Sequence, residues 1–328
     1  MLSSWALPMP DERLRPRLAI AIPTYGRPDL LAANVKKMAS QLSHLGIPLY
    51  ISDDSPDDQT QKALAGFPNI HYRRNRPALR HDANIISTLT WPDADFIWLL
   101  GDSHRVKDGQ LARILELLDD QDFIMVNSHA DEAPNIRKTR GPEAHALLRQ
   151  MLWHQTLTGA TIYHRRVCNW LNENYNELIV ARNFPQLSAI LGYASSHTVS
   201  VGWFGEQSLV SAKKDSYWIS QAISVFVDDW SALVAAFPKV IPPKYRKNVV
   251  RSHSAQMRFF DSNRLFELRT SNKFGWKHLL QRNFRDAMHL PLPVVAAILL
   301  TPRITQTPVR MTMATVERLY AAFKKQYL

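Results

Sequence analysis

The chain has 328 residues, 45% of them hydrophobic and 21% charged, with a formal net charge of +11. That length buries a sizeable core and leaves room for one large domain with an appendage. No apolar run reaches the roughly 18 residues that a membrane-spanning helix needs, the N-terminus lacks the order of a secretory signal, and one cysteine, Cys168, excludes an intramolecular disulfide or a cysteine-built metal site, so a protein of the reducing cytoplasm is expected, with Cys168 a packing residue.

Residues 1–16 are a Pro-rich, weakly patterned leader. Arg17 to Ile22 reads as a buried strand that ends in Pro23-Thr24-Tyr25-Gly26-Arg27-Pro28, and Asp29 to Leu45 then carries Leu30, Leu31, Val35, Met38 and Leu42 at helical spacing. Pro48 to Ser52 is a second strand, running into Asp53-Asp54-Ser55-Pro56-Asp57-Asp58. Two strands joined by one helix over so short a stretch make a βαβ unit with parallel pairing and a right-handed crossover. A short helix leads to a third strand, Ile70 to Arg74, and Arg80 to Leu89 is helical. Phe96 to Leu100 is an uninterrupted apolar run, the pattern of a strand buried on both faces of a parallel sheet. Gly101 turns the backbone, and Asp102, Ser103 and His104 emerge together; the local alternative is that Asp102 and Ser103 cap a helix beginning between Val106 and Gln110. Leu111 to Leu118 supplies the next helix and Phe123 to Asn127 another strand.

This alternation predicts an α/β fold with a doubly wound sheet. Its unusual polar residues, Thr24, Tyr25 and Arg27, then Asp53 and Asp54, then Asp102 and His104, all directly follow strands. In a parallel sheet those three clusters share one edge, in the crevice where such folds bind ligands.

The charge is uneven. Residues 238–328 hold 17 Lys and Arg against 4 Asp and Glu, a net of +13, whereas residues 1–237 hold 23 against 25, a net of −2. This shift, with Pro238, Pro242 and Pro243, marks a boundary near residue 237. The basic segment includes Leu290-Pro-Leu-Pro-Val-Val-Ala-Ala-Ile-Leu-Leu300, flanked by Arg282, Arg285, Arg303 and Arg310. It is too short to span a bilayer and suits an interfacial segment with basic flanks, so an anionic membrane surface is the expected partner. A helical subdomain with a solvated basic face is the alternative. No nucleic-acid motif accompanies the charge, and nucleic acid is not expected. Trp153, Trp170, Trp203, Trp218 and Trp230 are numerous enough for a saccharide platform, although most are expected in the core.

Pro23 to Pro28, Asp53-Asp54 with Asp58 and Thr60 behind them, Asn84, and Trp98-Leu99-Leu100-Gly101-Asp102 resemble the opening half of family 2 glycosyltransferases with the GT-A fold. The Trp-Leu-Leu-Gly-Asp form and Asn183-Phe184-Pro185-Gln186 are similar to the bacterial surface-polysaccharide branch that includes abequosyltransferase-like enzymes. The resemblance covers residues 17–130 well and 155–195 loosely. It implies a Rossmann-like, doubly wound, mostly parallel sheet over residues 17–237, with a nucleotide-binding half (17–130) and an acceptor half (131–237), followed by a basic, mainly helical region (238–328). It implies inverting transfer of a sugar from a nucleotide-sugar donor to a lipid-linked or polysaccharide acceptor in bacterial surface-glycan synthesis, such as lipopolysaccharide O-antigen or capsule. The expected location is cytoplasmic, peripheral on the inner membrane. The donor site would comprise Pro23, Thr24, Tyr25, Arg27, Asp53, Asp54, Arg80, Asn84 and Asp102, and Asp102 would hold a divalent cation, Mn2+ or Mg2+, that bridges the donor diphosphate.

The family form continues with further acidic residues, whereas this chain reads Asp102-Ser103-His104. His104 is then a ligand favouring Mn2+, a phosphate contact, or a sign of weakened metal use with Arg80, Arg105 or Lys107 supplying the charge. An inverting transfer also needs a base near the acceptor hydroxyl. Similar enzymes place an acidic residue at a helix start after a Gly-containing strand, here Thr158 to Tyr163, but neither Asn183 nor Gln186 can accept the proton. Asp229, Asp228 and Glu206 are the candidates, with His154 a weaker one. A non-catalytic scaffold of a polysaccharide assembly complex and a sugar-phosphate nucleotidyltransferase are the alternatives, the latter lacking its Gly-rich, lysine-containing loop.

Overall fold

The structure is a computed structural model and describes residues 15–129, 135–178, 181–212 and 221–302. In chain order its elements are β1 (Leu18–Thr24), α1 (Pro28–His44), β2 (Leu49–Asp53), α2 (Gln59–Leu64), β3 (Ile70–Arg74), α3 (His81–Leu89), β4 (Phe96–Leu99), β5 (His104–Val106), α4 (Gln110–Leu117), β6 (Phe123–Asn127), β7 (Ile136–Arg140), α5 (Pro142–Met151), β8 (Thr161–His164), α6 (Arg165–Asn174), α7 (Pro185–Ser196), β9 (Ser200–Gln207) and β10 (Leu209–Ser211). Six helices follow: α8 (Trp230–Ala236), α9 (Pro243–Met257), α10 (Ser262–Thr270), α11 (Trp276–Leu280), α12 (Arg282–Ala287) and α13 (Leu292–Leu300). The chain divides into two compact units, the first comprising residues up to Arg140 with Leu157–Glu177 and Val199–Lys213, the second Gly141–Thr156, Leu178–Thr198 and the chain from Lys214. The proline-rich boundary read near residue 237 lies inside the second unit.

The first unit contains the sheet, ordered β3-β2-β1-β4-β8-β6-β9-β7, and a separate ribbon of β10 and β5. β1 pairs in parallel with β2 and β4, β2 with β3, and β6 with β9. β8 runs antiparallel between β4 and β6, and β7 antiparallel along β9. The sheet is therefore mostly parallel. The central strands are apolar on both faces because helices or further chain cover both, which removes any polar alternation.

α1 shows how the sequence selects the packing. Pro28 sits in its first turn, where no intrahelical donor is lost, and Leu31, Val35, Met38 and Leu42 make the buried face. Those side chains join Ile20, Ile22, Trp98, Leu100, Leu111 and Ile114 in one core cluster. Trp98, fully buried, donates from Nε1 to Gly159 O at 2.7 Å, fixing β4 against the segment before β8. Gly159 has φ +119°, and a Cβ there would lie 3.1 Å from Leu100 Cδ1, so both backbone and packing demand glycine.

The local alternative for the turn after β4 is not what forms. Asp102 and Ser103 do not cap the next helix, because β5 intervenes, pairing antiparallel with β10, and Gly109 occupies the N-cap of α4. Three residues of strand are too short to show a period in sequence.

Among its described residues the second unit is helical, with a π-helical turn over Ser224–Asp229 leading into α8. Trp230 is fully buried and donates to Val250 O at 3.2 Å; Trp153 and Trp203 are buried as well, while Trp218 lies outside the described residues. The Leu290 to Leu300 stretch forms α13 from Leu292, and Arg303 and Arg310 lie outside the described residues, as does the leader up to residue 14. No helix among the described residues is long and apolar enough to cross a membrane. Cys168 is buried, and burial pushes its thiol up to about 12, consistent with a packing role.

Candidate functional site

The candidate site lies in the first unit, at the carboxyl ends of β1, β2 and β4. The register places Thr24 beside Asp53, and Asp54 N donates to Thr24 O at 3.0 Å, so the first two polar clusters meet. The third meets them through side chains. Asp102, 8% exposed, accepts from Thr24 Oγ1 at 3.2 Å on Oδ2 and is ion-paired through Oδ1 with Arg27 Nη1 at 2.9 Å. Its carbonyl accepts from Asn34 Nδ2 at 2.9 Å. Asn34 is a buried polar residue on the apolar face of α1, and sequence reasoning missed it; the signal was an amide in the row Leu31, Asn34, Val35, Met38.

The acidic pair after β2 has two different roles. Asp53 is fully buried and saturated: Oδ1 accepts from Ser55 N at 2.9 Å and Ser55 Oγ at 2.5 Å, and Oδ2 from Tyr72 hydroxyl at 2.8 Å. Burial, and then that bond to Asp53, push the Tyr72 phenol well above its ordinary range. Ser55 Oγ also accepts from Gly26 N at 2.8 Å, tying the loop after β1 to the loop after β2. Asp54 instead accepts from Asn75 Nδ2 at 2.7 Å and Leu79 N at 3.2 Å, both through Oδ1, and no described residue hydrogen-bonds its Oδ2. Asp54 therefore retains an acceptor for a ligand.

Asn84 is buried in a knot: Oδ1 accepts from Ser52 Oγ at 2.8 Å, and Nδ2 donates to Ser52 O at 3.2 Å. Its amide fastens α3 to β2. Arg80 is exposed at the N-cap of α3 with φ +67°, Tyr25 is 65% exposed, and Pro23 is part of β1. Asn75, which reaches Asp54, Ser52 and Asn84, had no sequence signal because its position depends on the loop after β3.

His104 opens β5, its N donating to Gly101 O at 2.9 Å. Its ring folds over Gly101, where a Cβ would lie 3.0 Å from His104 Nδ1, and that nitrogen is 3.5 Å from Ser103 Oγ. Among the described residues no three His, Cys, Asp or Glu side chains converge on one point. Asp102 offers one carboxylate whose two oxygens are engaged by Thr24 and Arg27, so a hard dication held there would need substrate phosphates and water to complete its shell.

The base candidates fall in different places. Glu206, on β9 in the first unit, is ion-paired with Arg113 at 2.5 Å and accepts from Gln110 Nε2 at 3.2 Å. Asp228 and Asp229 end the π-helical turn of the second unit. Asp229 accepts from Asn183 Nδ2 at 2.7 Å, and desolvation, then the charge of Asp229, raise the Asp228 carboxyl above its ordinary range. His154 is buried in the second unit beside the Trp153 ring.

Residues 19–173 match the family model described as Glycosyl transferase family 2. Abequosyltransferase RfbV of Salmonella typhimurium is 26% identical over 131 residues, covering 38% of this chain. The aligned stretch spans only 39% of that relative's length. Among solved structures, S. aureus TarS superposes with a TM-score of 0.52 at 12% identity, over 91% of this chain and 53% of that one. TarS 1-349 gives 0.51 at 13% identity, over 87% and 81%. Its complex with UDP-GlcNAc gives 0.50 at 14%, over 87% and 84%. The fold is thus GT-A-like, a mostly parallel sheet with helices and a helical C-terminal part, as the resemblance implied.

Proposed function

We propose that this protein, whose residues 19–173 match the Glycosyl transferase family 2 model, transfers a sugar, with inversion, from a nucleotide-sugar donor to a lipid-linked or polysaccharide acceptor in surface-glycan synthesis. The observation that carries the proposal is the buried Asp102 after a central parallel strand, its carboxylate oriented by Thr24 and Arg27 and its carbonyl held by Asn34, with Thr24 O also accepting from Asp54 N. The abequosyltransferase similarity supports the surface-glycan setting, and the UDP-GlcNAc complex of the TarS fragment supports a nucleotide-sugar donor on this fold.

In this reading Asp54 accepts hydrogen bonds from the nucleoside through Oδ2, while Asp53 shapes the turn that presents it. Thr24 and Arg27 hold the Asp102 carboxylate in one orientation, and Arg27 adds positive charge toward a diphosphate. Asp102 would hold the divalent cation, Mn2+ or Mg2+, with His104 the neighbouring imidazole. When bound, the cation offsets the negative charge that develops on the departing nucleoside diphosphate. Asp228, Asp229 and Glu206 stand as the candidates for the base, Glu206 being engaged by Arg113 and Gln110 and Asp229 by Asn183. A carboxyl raised by desolvation is the better base near neutral pH. The basic C-terminal region would face an anionic membrane surface, where lipid-linked acceptors reside.

The test is calorimetric titration of UDP, GDP, CDP and dTDP with Mn2+, with Mg2+ and with chelator. Metal-dependent binding of one nucleotide identifies the donor class, and binding that ignores the chelator replaces the cation with arginine or lysine. No binding under any condition removes the transferase reading and leaves a scaffold.

A further inference from the structure

The second unit holds an open pocket of about 430 Å³, lined by none of the candidate site residues. Lys247 and Arg251 come to it from α9, and Arg285 and Asp286 from α12. His289 and the run Leu290-Pro291-Leu292 complete its wall. Three permanent cations therefore surround it with one carboxylate. That carboxylate is shared, with Oδ1 3.9 Å from Lys247 Nζ and Oδ2 3.6 Å from Arg282 Nε. Arg285 donates to Leu279 O at 3.3 Å and Leu280 O at 2.6 Å, closing the end of α11.

Arg251 differs from these. Its Nε is buried and has no hydrogen-bond partner among the described residues. A buried guanidinium N–H without an acceptor is costly, and an anion in the pocket would supply one. His289 Nδ1 lies 3.3 Å from Ser254 Oγ, and burial lowers its pKa, so the positive charge comes from the lysine and the arginines.

Part of the lining, Met288 and Leu290 to Leu292, is apolar. Leu292 is 41% exposed and begins α13, a helix composed wholly of apolar residues whose last one, Leu300, is 71% exposed. The amino end of α13 has no side-chain cap, and its dipole adds positive potential there. A soluble anion has no use for the apolar wall, and a neutral lipid has no use for the cations. A headgroup carrying a phosphate on an apolar chain uses both. Nine residues of helix are too short to cross a bilayer, but they suit the boundary between headgroups and acyl chains.

We propose that this pocket binds the phosphate headgroup of an anionic lipid, with Lys247 and Arg251 on the phosphate oxygens and Leu290 to Leu292 against the start of the acyl region. This deepens the membrane contact proposed above and rests on that part of the reading alone, since no donor chemistry enters it.

The experiment is flotation of the full chain with phosphatidylcholine vesicles alone, and with phosphatidic acid or oleate added to equal surface charge. Binding to phosphatidic acid is expected to exceed binding to oleate, because a general basic surface would not distinguish phosphate from carboxylate. Replacing both cations, Lys247→Gln with Arg251→Gln, is expected to weaken phosphatidic acid binding about 30-fold, at about fivefold per cation. Nucleotide calorimetry and melting temperature report whether that variant is folded. If it is not, Leu292→Asp changes an exposed position instead, and a several-fold loss is expected. Wild-type binding by the folded variants, or equal binding of oleate, overturns the proposal. So does inorganic phosphate alone binding as tightly as the vesicles, which would mark a site for a soluble anion. Loss of nucleotide binding with vesicle binding intact strikes only the transferase reading.

Discussion

Arg27 Nη1 lies 2.9 Å from Asp102 Oδ1, joining the loop after β1 to the turn after β4 across 75 positions of sequence. The carboxylate is thus compensated and held in one orientation at a strand end, which is the basis on which Asp102 is proposed to hold a cation.

Asp102→Asn removes that anion while keeping its shape. Transfer is expected to fall at least about 100-fold, the scale of a lost electrostatic contribution to the transition state. Metal-dependent nucleotide binding should weaken in parallel, and the melting temperature should stay near wild type. Unchanged turnover would falsify the central role of Asp102.

Asp53 and Asp54 should separate under mutation. Tyr72→Phe deletes the hydroxyl donor to Asp53 Oδ2 and should cost about 1–2 kcal/mol in urea unfolding. Asp54→Ala should lower nucleotide affinity with a smaller effect on the fold. If Asp53 variants alone impair nucleotide binding in a folded protein, the division of labour is reversed.

Gly159→Ala forces a Cβ onto φ +119° and against Leu100. A destabilisation of about 2 kcal/mol is expected, the cost of backbone strain where side chains rarely go. Chemical denaturation of the purified variant measures it directly.

His253 gives the second unit a pH dependence. Its ring is fully buried, stacked on Phe226 at 4.7 Å and flanked by Trp230 and Phe259, and its Nε2 is 3.3 Å from Thr156 Oγ1. Burial holds its pKa down to about 3, against 6.5 for a free histidine. The unfolded chain therefore binds a proton between pH 6.5 and 3 that the folded chain refuses. The associated stability is fully present above pH 6.5 and is lost as pH falls toward 3, with a slope of up to about 1.4 kcal/mol per pH unit. His253→Phe should flatten this slope relative to wild type in unfolding titrations across that window.

The elements legible in sequence were those whose pattern is local. The strands at Leu18, Leu49, Ile70, Phe96 and Phe123 are apolar or turn-bounded runs, and α1, α3 and α4 carry helical periodicity. What sequence missed was decided by partners far along the chain. β7 reads Ile-Arg-Lys-Thr-Arg, a charged edge strand that exists because β9 pairs with it. β5 and β10 have three residues each and are defined only by one another.

The same division holds for the site. Strand ends followed by Thr24, Asp53, Asp54 and Asp102 determine that these residues gather at one edge, because parallel strands point their carboxyl ends the same way. Their division of roles could not be read from sequence. Asp53 and Asp54 are chemically identical neighbours, and only the positions of Ser55, Tyr72 and Asn75 decide that one is consumed and the other keeps an acceptor. Likewise the excess of positive charge after residue 238 was countable, but only the packing of α9, α12 and the start of α13 brings Lys247, Arg251 and Arg285 around one space. Composition and period are properties of the chain, whereas which buried polar atom is left without a partner is a property of the folded arrangement.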